Sequence, residues 1–122
     1  MHEQCLGIDW GEKRIGLALG NSEVKLASPF GVVKDVVELK NIVLKEKVDR
    51  IILGEPVNEE VSQDFLEFKK NIEKEINLPL TLIDERFSSQ AADSLDPHAR
   101  RDGKRDEIAA MIILQSYFDK LS

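Results

Sequence analysis

Between Leu6 and Leu19 the chain reads LGIDWGEKRIGLAL, and this segment limits the fold more than any other. A short apolar run ends in one carboxylate, Asp9. A glycine-bearing turn follows at Trp10–Lys13, and the chain returns as a second strand that alternates small and apolar residues. An acid at the end of a buried strand is costly to hold unless a cation compensates it. Asp9 is therefore a candidate metal ligand or catalytic carboxylate. The plainer alternative is an acid that merely ends a strand before a turn.

The 122 residues are expected to form one domain, residues 1–122, with core enough to need no covalent staple. No apolar run approaches the roughly 18 residues needed to cross a bilayer, so no membrane association is expected. The start, MHEQCLGID, lacks the basic and long apolar stretches of a signal peptide. The single cysteine, Cys5, has no internal partner and fits a buried place in the first strand. Together these point to the cytoplasm.

A net charge of −6 argues against binding nucleic acid over the whole surface. The charge is uneven, however: residues 86–105 carry +2 and the remainder −8. A local basic strip on an acidic body suits a small nucleic-acid footprint without requiring one.

Hydrophobic periodicity predicts strands over Gln4–Asp9, Arg14–Gly20 and within Val24–Val33, with Asn21-Ser22-Glu23 as a turn and Pro29 marking an edge. Asp35 caps a helix running to about Val48, with Val36, Leu39 and Val43 at helical spacing. Arg50–Leu53 reads as a strand buried on both faces, and Gly54–Asn58 as a loop whose Asn58 caps a second helix. That helix carries Val61, Phe65, Phe68, Ile72 and Ile76 on one stripe, read as core packing. Pro79–Ile83 is the last strand, running into Asp84-Glu85-Arg86. A short helix from Ser88 or Ser89 to Leu95, a loop over Asp96–Gly103 and a helix over Asp106–Leu121 complete the chain. Ile108, Met111, Ile112, Gln115 and Phe118 are predicted to form the inner face of this final helix. The expected fold is α/β: a mixed five-stranded sheet, an antiparallel meander followed by parallel strands, flanked by helices. Ligands on such sheets sit outside the C-terminal ends of the parallel strands, where Asp9, the Glu55 loop and Asp84-Glu85 all fall.

Three acids from two strand ends and one helix match the needs of a divalent-cation nuclease. Mg²⁺ takes oxygen ligands from few carboxylates plus phosphate and water, and two such ions can bracket a phosphodiester. Asp9 would anchor the metal, Glu85 would come from the neighbouring strand end, and Asp106 would project from the last helix. Taken singly, Glu85 and Asp106 read as solvated or capping acids, and Asp106 suits the positive end of its helix. His2 and His98 support neither a zinc site nor a triad. Trp10 could stack a base or pack against the first helix.

LGIDWGEKRIGLAL, ASPF, IILGEPVN, LIDERFSS and KRDEIAAMIILQSYFD occur in the order seen in the YqgF family, also called RuvX, and nearly the whole chain resembles it. That family is similar to RuvC-type resolvases and implies an RNase H-like fold. The resemblance places its strand-1 acid on Asp9, its acidic motif on Asp84-Glu85-Arg86 with Glu85 as the functional acid, and its final lysine and aspartate on Lys104 and Asp106. Asp9, Glu85 and Asp106 are then expected to hold Mg²⁺ or Mn²⁺ as catalytic and metal-binding residues. Lys13, Arg14, Arg86 and Lys104 are expected to neutralise substrate phosphates.

The implied activity is phosphodiester hydrolysis, with trimming of the 5′ end of precursor 16S rRNA favoured and Holliday junction resolution as the alternative. Structured RNA is thus the favoured partner, branched DNA the other, and the chain a monomer or homodimer. Two rivals lie in other classes: a non-catalytic nucleic-acid-binding module, and an actin-like ATPase, for which a single domain leaves no room. The sequence departs from the family pattern at Glu55, in GEP, where an apolar residue is usual. Glu55 and Asp84 stand as further candidates for the metal site. The chain is also short around Asn58–Val61, where a longer loop is expected.

Overall fold

In the computed structural model, β1 (Gln4–Trp10) and β2 (Ile15–Asn21) pair antiparallel over their full lengths, with Asp9 opposite Gly16. The structure describes residues 2–11, 13–56, 62–84 and 104–121, the first two of the last group by backbone alone. β3 (Leu26–Val33) pairs antiparallel with β2, with a register shift between Leu17 and Ala18. The predicted turn lies slightly later than expected, at residues 22–25, where Lys25 takes a positive φ of 60°. β4 (Arg50–Glu55) and β5 (Leu80–Asp84) run parallel to β1. The sheet order is β3-β2-β1-β4-β5, the mixed five-stranded sheet expected.

Helix α1 (Val36–Lys45) begins where Asp35 accepts a hydrogen bond from the Glu38 N–H at 2.9 Å. Glu38 reaches back to accept from the Lys34 N–H at 2.8 Å, so two donors at the helix start are satisfied reciprocally. The helix stops short of Val48, because Lys47 adopts φ 54°. Helix α2 (Gln63–Glu75) is capped by Ser62, whose hydroxyl accepts from the Phe65 N–H at 3.1 Å. Asn58 and Val61 lie outside the described residues, but the predicted stripe survives in Phe65, Phe68 and Ile72, all buried. Burying each such side chain stabilises the fold by about 1.5–3 kcal/mol.

Strand alternation divides the core in two. Leu6, Ile8, Leu17, Ile51 and Leu53 face α1 and α2, and pack with Leu39, Val43, Phe65 and Phe68. Cys5, Ala18, Ile52 and Ile83 face the other way and pack with the last helix, α3 (Lys104–Lys120). α3 begins two residues before the expected Asp106 and lies across β1, β2 and β3.

Its inner face differs from the sequence expectation. Ala109, Ala110, Ile113, Leu114 and Phe118 are fully buried, whereas Ile108, Met111 and Ile112 are only half-buried. Of the expected set, Phe118 is the fully buried member. The rotation follows from the floor the helix rests on. A Cβ on Gly7 would stand 2.8 Å from the Ala110 carbonyl oxygen and from the Leu114 Cβ, and one on Gly54 would strike the Ile113 side chain. Glycines in the sheet thus set the helix close and select which apolar residues meet it. The segment IAAMIIL is apolar all round and leaves that choice open.

Candidate active site

Asp9 lies at the C-terminal end of β1. Cys5 belongs to the α3-side core and Gly7 lies directly beneath α3, so alternation turns Asp9 to that same face. At 7% exposure it is the one buried charged side chain among the described residues. Its cross-strand partner is Gly16, which places their Cα atoms about 4.5–5.5 Å apart.

Gly16 is the platform for the third acid. A Cβ there would overlap the backbone carbonyl of Asp106, so the first turn of α3 rests directly on the β2 backbone. Asp106 therefore stands above the residue that Asp9 faces across the ladder. Its carboxylate lies in the first turn of α3, where the helix N-terminus favours negative charge. Arg14 Nε forms an ion pair with Asp106 Oδ2 at 3.2 Å, with the two side chains 51% and 22% exposed. An ion pair this exposed contributes only about 0–1 kcal/mol, so its importance is geometric.

The turn between β1 and β2 is tight. A Cβ on Gly11 would come within 2.9 Å of the Arg14 carbonyl, which accounts for glycine there. Lys13 is exposed at this turn, at the same edge as Asp9. Lys104 opens α3, described by backbone alone. Glu85 and Arg86 lie outside the described residues, as do His98, the short helix from Ser88 or Ser89 and the loop over Asp96–Gly103. β5 is described as far as Asp84.

Glu55 and Asp84 are cross-strand partners at the ends of β4 and β5. Gly54 meets Ile113 and Ile83 belongs to the α3-side core, so alternation turns Glu55 and Asp84 to the face opposite Asp9. Trp10 likewise points to the α1/α2 face. It packs edge-on against Phe65 (ring centroids 5.8 Å apart, planes at 71°) and tilted against Phe68 (6.2 Å, 35°). Trp10 thus packs into the core that α1 and α2 share, with its ring contacts on α2.

The described residues thus bring Asp9 and Asp106 to one edge of the α3 face, with Arg14 attached to Asp106. No three Asp, Glu, His or Cys side chains converge closely enough to hold a metal ion among the described residues. Two hard oxygen donors at one strand edge nevertheless suit Mg²⁺ or Mn²⁺ and disfavour a soft metal. Sequence reasoning missed the role of Gly16. In the sequence it is a matching position of the family motif and one of the small residues of the second strand, whose meaning depends on what packs over them.

A parallel-edged mixed sheet carrying acids at the C-terminal end of its first strand and at the start of its last helix defines the fold class of RuvC-like, RNase H-fold proteins. The Thermus thermophilus RuvC solved with a Holliday junction substrate superposes with a TM-score of 0.65 at 14% identity, covering 98% of this chain and 95% of that one. The fowlpox virus resolvase solved with Holliday junction DNA gives 0.57 at 14% identity, covering 97% and 98%. The chain belongs to the RuvX family, described as Holliday junction resolvase, whose model matches residues 3–120. A relative from Cupriavidus metallidurans named "Putative pre-16S rRNA nuclease" is 38% identical over 131 residues, covering 95% of this chain and 86% of the relative. One of the same name from Rickettsia africae is 31% identical over 132 residues, with the same coverage. No helix among the described residues is long and apolar enough to cross a membrane.

Proposed function

We propose that this chain is a Mg²⁺- or Mn²⁺-dependent nuclease that hydrolyses phosphodiester bonds, and that its substrate is the precursor of 16S rRNA. The observation that carries the reading is the placement of Asp9 and Asp106 on either side of Gly16, at the strand edge where ligands of such sheets bind. The names of the RuvX relatives favour the RNA substrate.

Asp9 and Asp106 would hold the metal, with Glu85 as the third ligand. A bound divalent ion supplies an activated water and a counter-charge for the leaving oxygen. Asp9, buried and anchored in the central strand, fixes the position of its carboxylate far better than a loop residue would. Lys13, exposed at the turn, would meet the phosphates flanking the cleaved bond, together with Arg86 and Lys104. The RNA reading implies action in the cytoplasm.

The family description supports a second reading, cleavage of four-way DNA junctions. Such an enzyme must cut two strands symmetrically and is expected to act as a homodimer. Side-by-side cleavage of precursor 16S RNA and a synthetic four-way junction with Mn²⁺ decides between them. Cutting of the RNA at its 5′ end is expected, and activity on the junction alone overturns the choice. Calorimetric titration with Mn²⁺ tests the metal site itself: a non-catalytic binding module would show no uptake that depends on Asp9 and Asp106.

A further inference from the structure

We infer that Arg14 is a positioning residue for Asp106 rather than a binder of substrate phosphate; the inference rests on the metal-nuclease reading above. The sequence places Arg14 beside Lys13 in a basic turn, where both would be read as phosphate ligands. The structure separates them. Both are exposed at the turn, but Arg14 Nε forms an ion pair with Asp106 Oδ2 at 3.2 Å.

Two contacts then act on the same residue from the same strand end. Gly16 admits the Asp106 backbone against β2, which sets where the first turn of α3 lies. Arg14, two residues earlier, holds one carboxylate oxygen, which limits how the side chain turns. A carboxylate has two oxygens, and engaging Oδ2 leaves the rotamer defined and Oδ1 for a metal. The 22% exposure of Asp106 makes this restraint matter, because a partly open carboxylate otherwise samples several rotamers. Partners that orient metal ligands in this way typically change metal affinity or activity about 10–100-fold when removed.

The test uses the full chain and the variants Arg14→Gln, Arg14→Lys, Lys13→Gln and Asp106→Asn. Calorimetry measures Mn²⁺ affinity without nucleic acid, and steady-state cleavage separates kcat from KM. Arg14→Gln is expected to weaken Mn²⁺ binding and lower kcat by about 10-fold or more with KM little changed. Arg14→Lys keeps a donor and a charge and should restore part of both. Lys13→Gln should raise KM and leave Mn²⁺ affinity at the wild-type value. A raised KM with unaltered Mn²⁺ affinity in Arg14→Gln makes Arg14 a phosphate ligand and overturns the inference. Equal loss in Arg14→Gln and Arg14→Lys, with lowered denaturation midpoints in both, reduces the pair to a structural contact and also overturns it. Failure of the underlying reading looks different: the wild-type chain itself then binds no Mn²⁺, or Asp106→Asn binds it as well as wild type.

Discussion

Gly16 lies so close beneath Asp106 that a single methyl group on its Cα would occupy the space of the Asp106 carbonyl. Because Gly16 is also the ladder partner of Asp9, one glycine governs the spacing between a strand acid and a helix acid. Gly16→Ala is therefore expected to lift the start of α3. The overlap is with backbone, so the cost should reach the upper part of the usual overpacking range of about 1–3 kcal/mol. Urea denaturation measures the loss, and cleavage should fall further than stability alone explains. An alanine variant of wild-type stability and activity would refute the close contact.

Asp9→Asn replaces a buried carboxylate by an amide of nearly the same shape. Cleavage and Mn²⁺ uptake are expected to disappear. The fold should persist, because the amide nearly matches the carboxylate in volume and shape. A well-folded Asp9→Asn variant that still cleaves removes Asp9 from the catalytic set.

Gln115 ties α3 to the edge strand. Its Oε1 accepts from the Ala27 N–H at 3.0 Å, and its Nε2 donates to the Lys25 carbonyl at 3.0 Å. Gln115→Leu leaves both groups unsatisfied and should destabilise the protein by about 1–3 kcal/mol. Hydrogen exchange at Ala27 should rise sharply, while Mn²⁺ affinity at the far end of α3 stays unchanged. Protection at Ala27 equal to that of wild type would contradict the assignment.

Cys5 offers a pH test. Burial, and next the nearby Glu3 carboxylate, push its thiol from 9.0 up to about 11. The unfolded thiol ionises first as pH rises, so between pH 9 and 11 the unfolded chain binds fewer protons and stability falls with increasing pH. Below pH 9 this contribution is flat. Cys5→Ala should flatten the alkaline limb, as read by denaturation midpoints at successive pH values. In the native protein at pH 8 the thiol should resist alkylation until the chain unfolds. Rapid labelling of the folded protein would show that Cys5 is not enclosed.

Much of the architecture is legible in local pattern. The strand ending in Asp9, the Asp35 cap, the Phe65–Phe68–Ile72 stripe and the parallel run near Ile51 and Leu80 each obey a short-range rule of periodicity or capping. The cap of α2 falls on Ser62 rather than the expected Asn58, because both residue types can accept the same hydrogen bond and pattern does not choose between them. Strand alternation specifies the face Trp10 takes, but that its ring meets Phe65 and Phe68 of α2 is a matter of tertiary packing.

Three features of the site follow from residue order without any fold: an acid ends the first strand, basic residues follow it in a tight turn, and a second acid opens the last helix. Each of these is a statement about neighbours along the chain. Three others emerge once the chain is packed: which side of α3 is buried, that Glu55 and Asp84 turn away from Asp9, and that Arg14 holds Asp106. The packing of α3 depends on how close two backbones approach, and that distance is set by the absence of a side chain at Gly16, Gly7 and Gly54. A missing side chain has no periodicity and no charge to read, so its consequence becomes visible only when the helix that uses the space is in place.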